Sequence, residues 1–167
     1  MTYIILLQAG YTMPNNLMPY LLFILVVSAH ANIPENIPFQ ILAQHSHKQS
    51  HFTQGLLFKS PYLYESIGLY AQSKLIRYSW PELEYQHSIE LPKTLFGEGI
   101  ALVDDKLIQL TWRENKALVY NTNSLKPQTS HNFHGEGWGL TSDGQHYIMS
   151  SGNHCLQYRD KDFSLLK

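Results

Sequence analysis

From Phe52 onward, short apolar runs alternate with turn signals, and no stretch sustains a helical period. The pattern predicts strands at Gln54–Phe58, Tyr62–Gly68, Lys74–Trp80 and Glu84–Leu91, with turns at Lys59-Ser60-Pro61 and around Trp80-Pro81. A second set follows at Gly99–Val103, Lys106–Trp112, Ala117–Tyr120 and Gln128–Phe133. A third begins at Gly139–Thr141 and continues through His146–Ser150 and Cys155–Arg159, leaving Phe163–Leu166 for an outer strand. Each set opens on a glycine followed by Leu or Ile: Gly55, Gly99 and Gly139, spaced by 44 and then 40 residues. Four short strands recurring every 40–50 residues or so are the signature of propeller blades. The fold expected is therefore all-β, with three four-stranded blades at about 52–95, 96–135 and 136–167, the last incomplete. In a propeller the first strand of each blade lines the channel, so Gln54, Glu98 and Trp138, each just before its glycine, are expected to face one another.

The first 31 residues follow another pattern. Leu17 to Val27 is an apolar run broken only by Pro19, and it ends in Ser28-Ala29-His30-Ala31. A run of this length before a small-residue site predicts a secretory signal cleaved after Ala31. The positively charged start of such a signal is missing, since no Lys or Arg precedes Lys48. A retained N-terminal anchor is the alternative, and the membrane would then be met only through that segment. Residues 32–51 form a lead-in with Pro34, Pro38 and three histidines, His45, His47 and His51. Their spacing matches no common ligand pattern and no carboxylate lies among them in sequence, so a solvated lead-in is expected and no metal site.

Composition narrows the function. Hydrophobic residues make up 44% of the chain and aromatic residues 13%, enough for a packed core. A net charge of −1 gives no electrostatic footprint for nucleic acid. A single cysteine, Cys155, rules out an intrachain disulfide framework.

The residue best suited to chemistry is Glu98, set between Gly97 and Gly99 on a predicted inner strand. Shielding by Phe96 and nearby aromatics would raise its pKa by desolvation and suit it to acid/base work near neutral pH. A glutamate between two glycines also fits a plain tight turn. Gln54 can donate and accept hydrogen bonds, as an amide-binding site requires. Phe52, Phe96, Trp112 and Trp138 can form an apolar wall, although strand aromatics equally serve a core. Glu136 sits in a similar Gly-Glu-Gly but two residues earlier relative to its repeat glycine, so it should not share the orientation of Glu98. Glu65, on a second strand, is expected farther from the channel.

Four separated stretches, FTQGLLF, LYESIGLY, LFGEGIALVDDKLIQLTW and GEGWGLTSDG, closely resemble the bacterial and plant type of glutaminyl cyclase, also called glutamine cyclotransferase. The resemblance covers about residues 45–167. It implies a five-bladed β-propeller, periplasmic or secreted, that converts the N-terminal glutamine of a peptide to pyroglutamate and releases ammonia. It implies Glu98 as the catalytic carboxylate, Gln54 as a polar contact, and Phe52, Phe96, Trp112 and Trp138 as the substrate-binding wall. The scheme requires no metal or other cofactor, and its partners are peptides or proteins with N-terminal glutamine. The family pattern continues for about two further blades carrying an Asn, a Trp and a Lys of the site, all beyond Lys167. About half the site is thus expected in these residues, with little turnover by the 167-residue chain alone. The alternatives are a non-catalytic peptide-binding propeller, which would need no Glu98, and a non-functional fragment.

Overall fold

Eleven strands, and no helix, make up the regular structure of residues 39–167, the part that the computed structural model describes. Of these, Ala43–Lys167 form one compact unit. The segment 1–31 and the start of the lead-in lie outside the described residues. Among the described residues no helix is long and apolar enough to cross a membrane.

The strands group in chain order. The first sheet holds β1 (Thr53–Lys59), β2 (Tyr62–Ile67), β3 (Lys74–Ser79) and β4 (Tyr85–Glu90). The second holds β5 (Gly97–Val103), β6 (Lys106–Thr111), β7 (Lys116–Asn121) and β8 (Pro127–Asn132). The third holds β9 (Leu140–Ser142), β10 (Tyr147–Ser150) and β11 (Leu156–Arg159). Every strand pairs antiparallel with its sequence neighbour, so each sheet is a meander, and the sheets follow one another as blades. The expected outer strand at Phe163–Leu166 is reduced to a bridge between Leu165 and Arg159. The reason is local: Asp160 caps a turn by accepting from the Asp162 and Ser164 amides, and Phe163 takes a φ of 63° within it. Phe163 then turns into the core instead of alternating along a strand.

Alternation within β6 explains how the sheets stack. Leu107 points to the first sheet and packs with Tyr64 and Leu75, while Ile108 and Leu110 point to the third and pack with Tyr147 and Met149. Side chains two residues apart share a face, so a strand with both faces covered reads as a continuous apolar run. The outer strands β4 and β8 are mostly exposed and carry polar residues. Buried polar links cross the first interface: Gly97 N donates to Ser73 Oγ (3.0 Å), and Gln109 donates from Nε2 to Ser66 Oγ (2.7 Å) and accepts from Tyr120 OH (3.0 Å). The Gln109 amide is thereby satisfied where water does not reach.

The repeat glycines allow inner strands to meet backbone against backbone. A methyl at Gly55 would lie 2.9 Å from the Ile100 amide nitrogen. One at Gly99 would overlap the Leu140 amide and lie 2.6 Å from the Trp138 carbonyl oxygen. Gly99 N donates to that same carbonyl at 2.9 Å. The 44- and 40-residue recurrence therefore marks a seam along which β1, β5 and β9 abut.

Candidate functional site

At that seam β1 and β5 carry the same irregularity. The register of β1 on β2 shifts between Thr53 and Gly55, and that of β5 on β6 shifts between Gly97 and Ile100. Gln54 and Glu98 thus occupy bulges, which free a residue from the pleat and re-aim its side chain. Trp138 precedes β9 at the corresponding place.

Re-aimed in this way, Gln54, Glu98 and Trp138 line one cavity of about 590 Å³ together with Phe52, Phe96, Trp112 and Gly139. All six residues singled out in the sequence come together there. Phe96 is the hub of the wall. Its ring meets Phe52 edge-to-face at 6.4 Å, Trp112 at 5.5 Å and Tyr70 at 5.5 Å. Gly68 makes room for this packing, since a methyl there would lie 2.7 Å from Phe96 Cζ and 2.9 Å from Gln54 Cγ.

Glu98 is half-buried in this wall. Burial raises its pKa, and the negative charge of Glu136 raises it further, so that it is pushed up to about 7. The carboxyl is then poised to hold or release a proton at neutral pH.

Glu136 was legible only as a residue that does not duplicate Glu98, and its actual place is at the cavity rim. Its Oε2 accepts from Trp112 Nε1 and Trp138 Nε1, both at 2.9 Å. Its Oε1 accepts from Arg113 Nε at 3.1 Å. The Arg113 guanidinium in turn lies over the Trp112 ring, 3.7 Å from its centroid. One carboxylate thus holds two wall indoles by their edges, and these donors keep its own pKa below the usual range. Glu114 plays a parallel part for Phe96: it accepts from the Phe96 amide (3.3 Å) and from Tyr70 OH (2.8 Å). No periodicity marks Glu114 or Arg113; the only sequence signal is their adjacency to Trp112.

Glu65 lies outside this cavity, buried on β2. It accepts from Thr53 Oγ1 (2.5 Å), His47 Nε2 (2.7 Å) and Tyr78 OH (2.9 Å). The lead-in histidines, which have no carboxylate near them in sequence, acquire one here through the fold: the ligand-type atoms of His47, His51 and Glu65 all lie within 4.8 Å of one another. His45 stays apart, beside Trp80 at 6.4 Å. Cys155 is an exposed free thiol.

A family model described as glutamine cyclotransferase matches residues 17–167. The chain belongs to the glutamine cyclotransferase family. Its likeness to a glutaminyl-peptide cyclotransferase of Arabidopsis thaliana is 32% identity over 125 residues, covering 72% of this chain and 38% of the relative. Its likeness in structure to the glutaminyl cyclase of Myxococcus xanthus has a TM-score of 0.69 at 29% identity, covering 77% of this chain and 54% of that one. The chain thus spans about half, or less, of the length of these glutamine cyclotransferase relatives. The WD40 repeats of RRP9 match with a TM-score of 0.58 at 11% identity, covering 72% of this chain, a likeness of propeller fold alone.

Proposed function

We propose that the protein supplies the catalytic carboxylate of a glutaminyl-peptide cyclotransferase, which closes the N-terminal glutamine of a peptide into pyroglutamate and releases ammonia. One observation carries the reading: a carboxyl poised near pH 7, Glu98, sits in an aromatic-walled cavity beside an amide, Gln54. A surface that only bound peptides would gain nothing from burying an unpaired carboxyl, which costs free energy without improving apolar contact.

The neutral α-amine of the substrate attacks the γ-amide carbon of its own side chain. A bond forms from the α-nitrogen to that carbon, and the five-membered ring closes. Glu98 accepts the proton that the α-nitrogen must lose, then delivers it to the amide nitrogen as the carbon–nitrogen bond breaks and ammonia leaves. Because both reacting groups belong to one residue, holding the reactive rotamer supplies much of the acceleration. Gln54 is suited to hydrogen-bond the substrate amide, and Phe52, Phe96, Trp112 and Trp138 to hold the side chain and exclude water. Glu136 acts as a positioning residue, fixing both indoles.

Ammonia release from a Gln-Xaa peptide tests the reading. It should be measured with the 167-residue protein and with a chimera in which the unmatched part of the Myxococcus relative follows Lys167. Turnover in the chimera that disappears in Glu98→Gln supports it; turnover that survives the substitution overturns it. Export with cleavage after Ala31 belongs to the same proposal. An intact Met1 on protein recovered from its native host would count against that part.

A further inference from the structure

We infer that His47, His51 and Glu65 form a binding site for a divalent transition-metal ion such as Zn²⁺, separate from the aromatic cavity. Two imidazoles and one carboxylate are borderline-soft and hard donors in the combination that such ions accept. His47 and His51 have three residues between them, and the turn closed by His51 N donating to Lys48 O (3.0 Å) brings both rings over β2. Glu65 then supplies oxygen from below, and the three donor atoms lie within 4.8 Å. Zinc bonds to such ligands are about 2.0–2.2 Å long. Small side-chain rotations would therefore seat an ion among the three.

Two features separate this cluster from a chance meeting of side chains. The first is an orphan. His51 is only 8% exposed, and its Nδ1 faces Glu65 Oε2 at 3.5 Å without making a hydrogen bond to any group. A buried ring nitrogen left unpaired costs free energy, and an ion between it and the carboxylate would remove that cost. The second is the support behind the carboxylate. Thr53 Oγ1 donates to Glu65 Oε1 and Tyr78 OH donates to Oε2, so a hydroxyl on each oxygen fixes the orientation of the carboxylate. Outer partners of this kind orient metal-ligating carboxylates. His47 is 52% exposed, which gives the ion an entry path and leaves a solvent ligand. On binding, His47 Nε2 gives up the proton it shares with Glu65 Oε1, to Nδ1 of the same ring if the imidazole is neutral or to solvent if it is charged.

An ion here would tie the lead-in to β2 immediately before Phe52, which lines the cavity. The inference does not depend on the reaction proposed above.

The test uses untagged full-length protein, apo and after dialysis against Zn²⁺, with metal content by mass spectrometry and a second loading with Co²⁺. Expected are one Zn²⁺ per chain, a raised thermal midpoint, and a Co²⁺ visible spectrum of low coordination number. Loss of even an outer partner typically costs about 10–100-fold in metal affinity. His51→Ala and His47→Ala, which remove ligands, should lose at least that much, while His45→Ala should bind as the parent does. His47 is largely exposed, so its variant remains interpretable if His51→Ala fails to fold. Substoichiometric zinc in the parent, or unchanged affinity in both ligand variants, overturns the inference.

Discussion

Two carboxyls, Glu98 and Glu65, lie one strand and one blade apart. Both are withdrawn from water, yet their acidities move in opposite directions. Burial raises the pKa of each. At Glu98 nothing offsets it, and the nearby charge of Glu136 adds to the rise. At Glu65 hydrogen bonds from Thr53, His47 and Tyr78 outweigh burial and hold the carboxyl below its ordinary value. The lesson is that the count of donors, more than depth, decides whether a buried carboxyl is a stored proton or a fixed anion. Glu98 is suited to give and take a proton. Glu65 is suited to stay charged and hold its neighbours.

The sharpest way to break this comparison is to make both isosteric. In the active chimera Glu98→Gln should lower ammonia release by about 10²–10⁴, the usual worth of general acid/base catalysis. Glu65→Gln should leave turnover within a few-fold of the parent, once both are compared as folded protein. Equal losses would show that the two carboxyls do not differ in kind.

Stability should reverse the ranking. Glu65→Gln sets an amide N–H against donors that need an acceptor, and leaving a buried group unsatisfied costs about 1–3 kcal/mol. Urea unfolding in the presence of a chelator measures it, and a loss below a few tenths would contradict the network. Glu98→Gln should cost nothing, and at pH 8 it should stabilise.

The pH dependence gives the same contrast in finer form. A carboxyl with a raised folded pKa contributes stability below its unfolded value, 4.5, and loses it as pH climbs through about 7. Glu98 therefore weakens the fold on the alkaline side, and the advantage of Glu98→Gln should grow from pH 5 to pH 8. Glu65, with a lowered pKa, contributes above 4.5 and loses its contribution as pH falls below that value. The deficit of Glu65→Gln should therefore shrink on acidification. Parallel slopes in the two variants would refute the assignment.

The smallest expected effect is at the rim. Glu136→Gln removes the negative charge that helps to raise Glu98, so the acid limb of the rate profile should move to lower pH. It also leaves two indole N–H groups sharing one weaker acceptor, so KM should rise more than kcat falls. An unmoved acid limb would show that desolvation alone sets the acidity of Glu98.

How much of this was legible before the structure differs between the two carboxyls as well. The strands, their order and the glycine seam follow from alternation and from the recurrence of Gly55, Gly99 and Gly139, because blade contacts are made between sequence neighbours. Gln54, Glu98 and Trp138 could be grouped because they share a repeat position; Phe52, Phe96 and Trp112 could be offered as an apolar wall from their type, and their substrate-binding role came through the family resemblance. The surroundings of Glu65 were not legible: they join His47, Thr53 and Tyr78, which share no periodic relation to it. Glu136 was legible only as a residue unlike Glu98, and its role was hidden for a related reason. Its Gly-Glu-Gly mimics that of Glu98, but its partners are the ends of two tryptophans from different blades, a meeting that only the stacked sheets create. The Phe163–Leu166 strand was over-read because alternation does not report the Asp160 turn.

The buried contact of Gln109 with Ser66 has a consequence for assembly. Blades built on one repeat are near-copies, and their apolar faces alone would let any blade stack on any other. Gln109 needs a neighbour that offers an acceptor oxygen where Ser66 stands. Against a second copy of its own blade, where Leu110 holds the repeat position of Ser66, the amide would be buried without its partner, at about 1–3 kcal/mol. A single glutamine thus works as a guard against self-pairing, marking a copy of the second blade as the wrong neighbour while the chain is still sorting its parts.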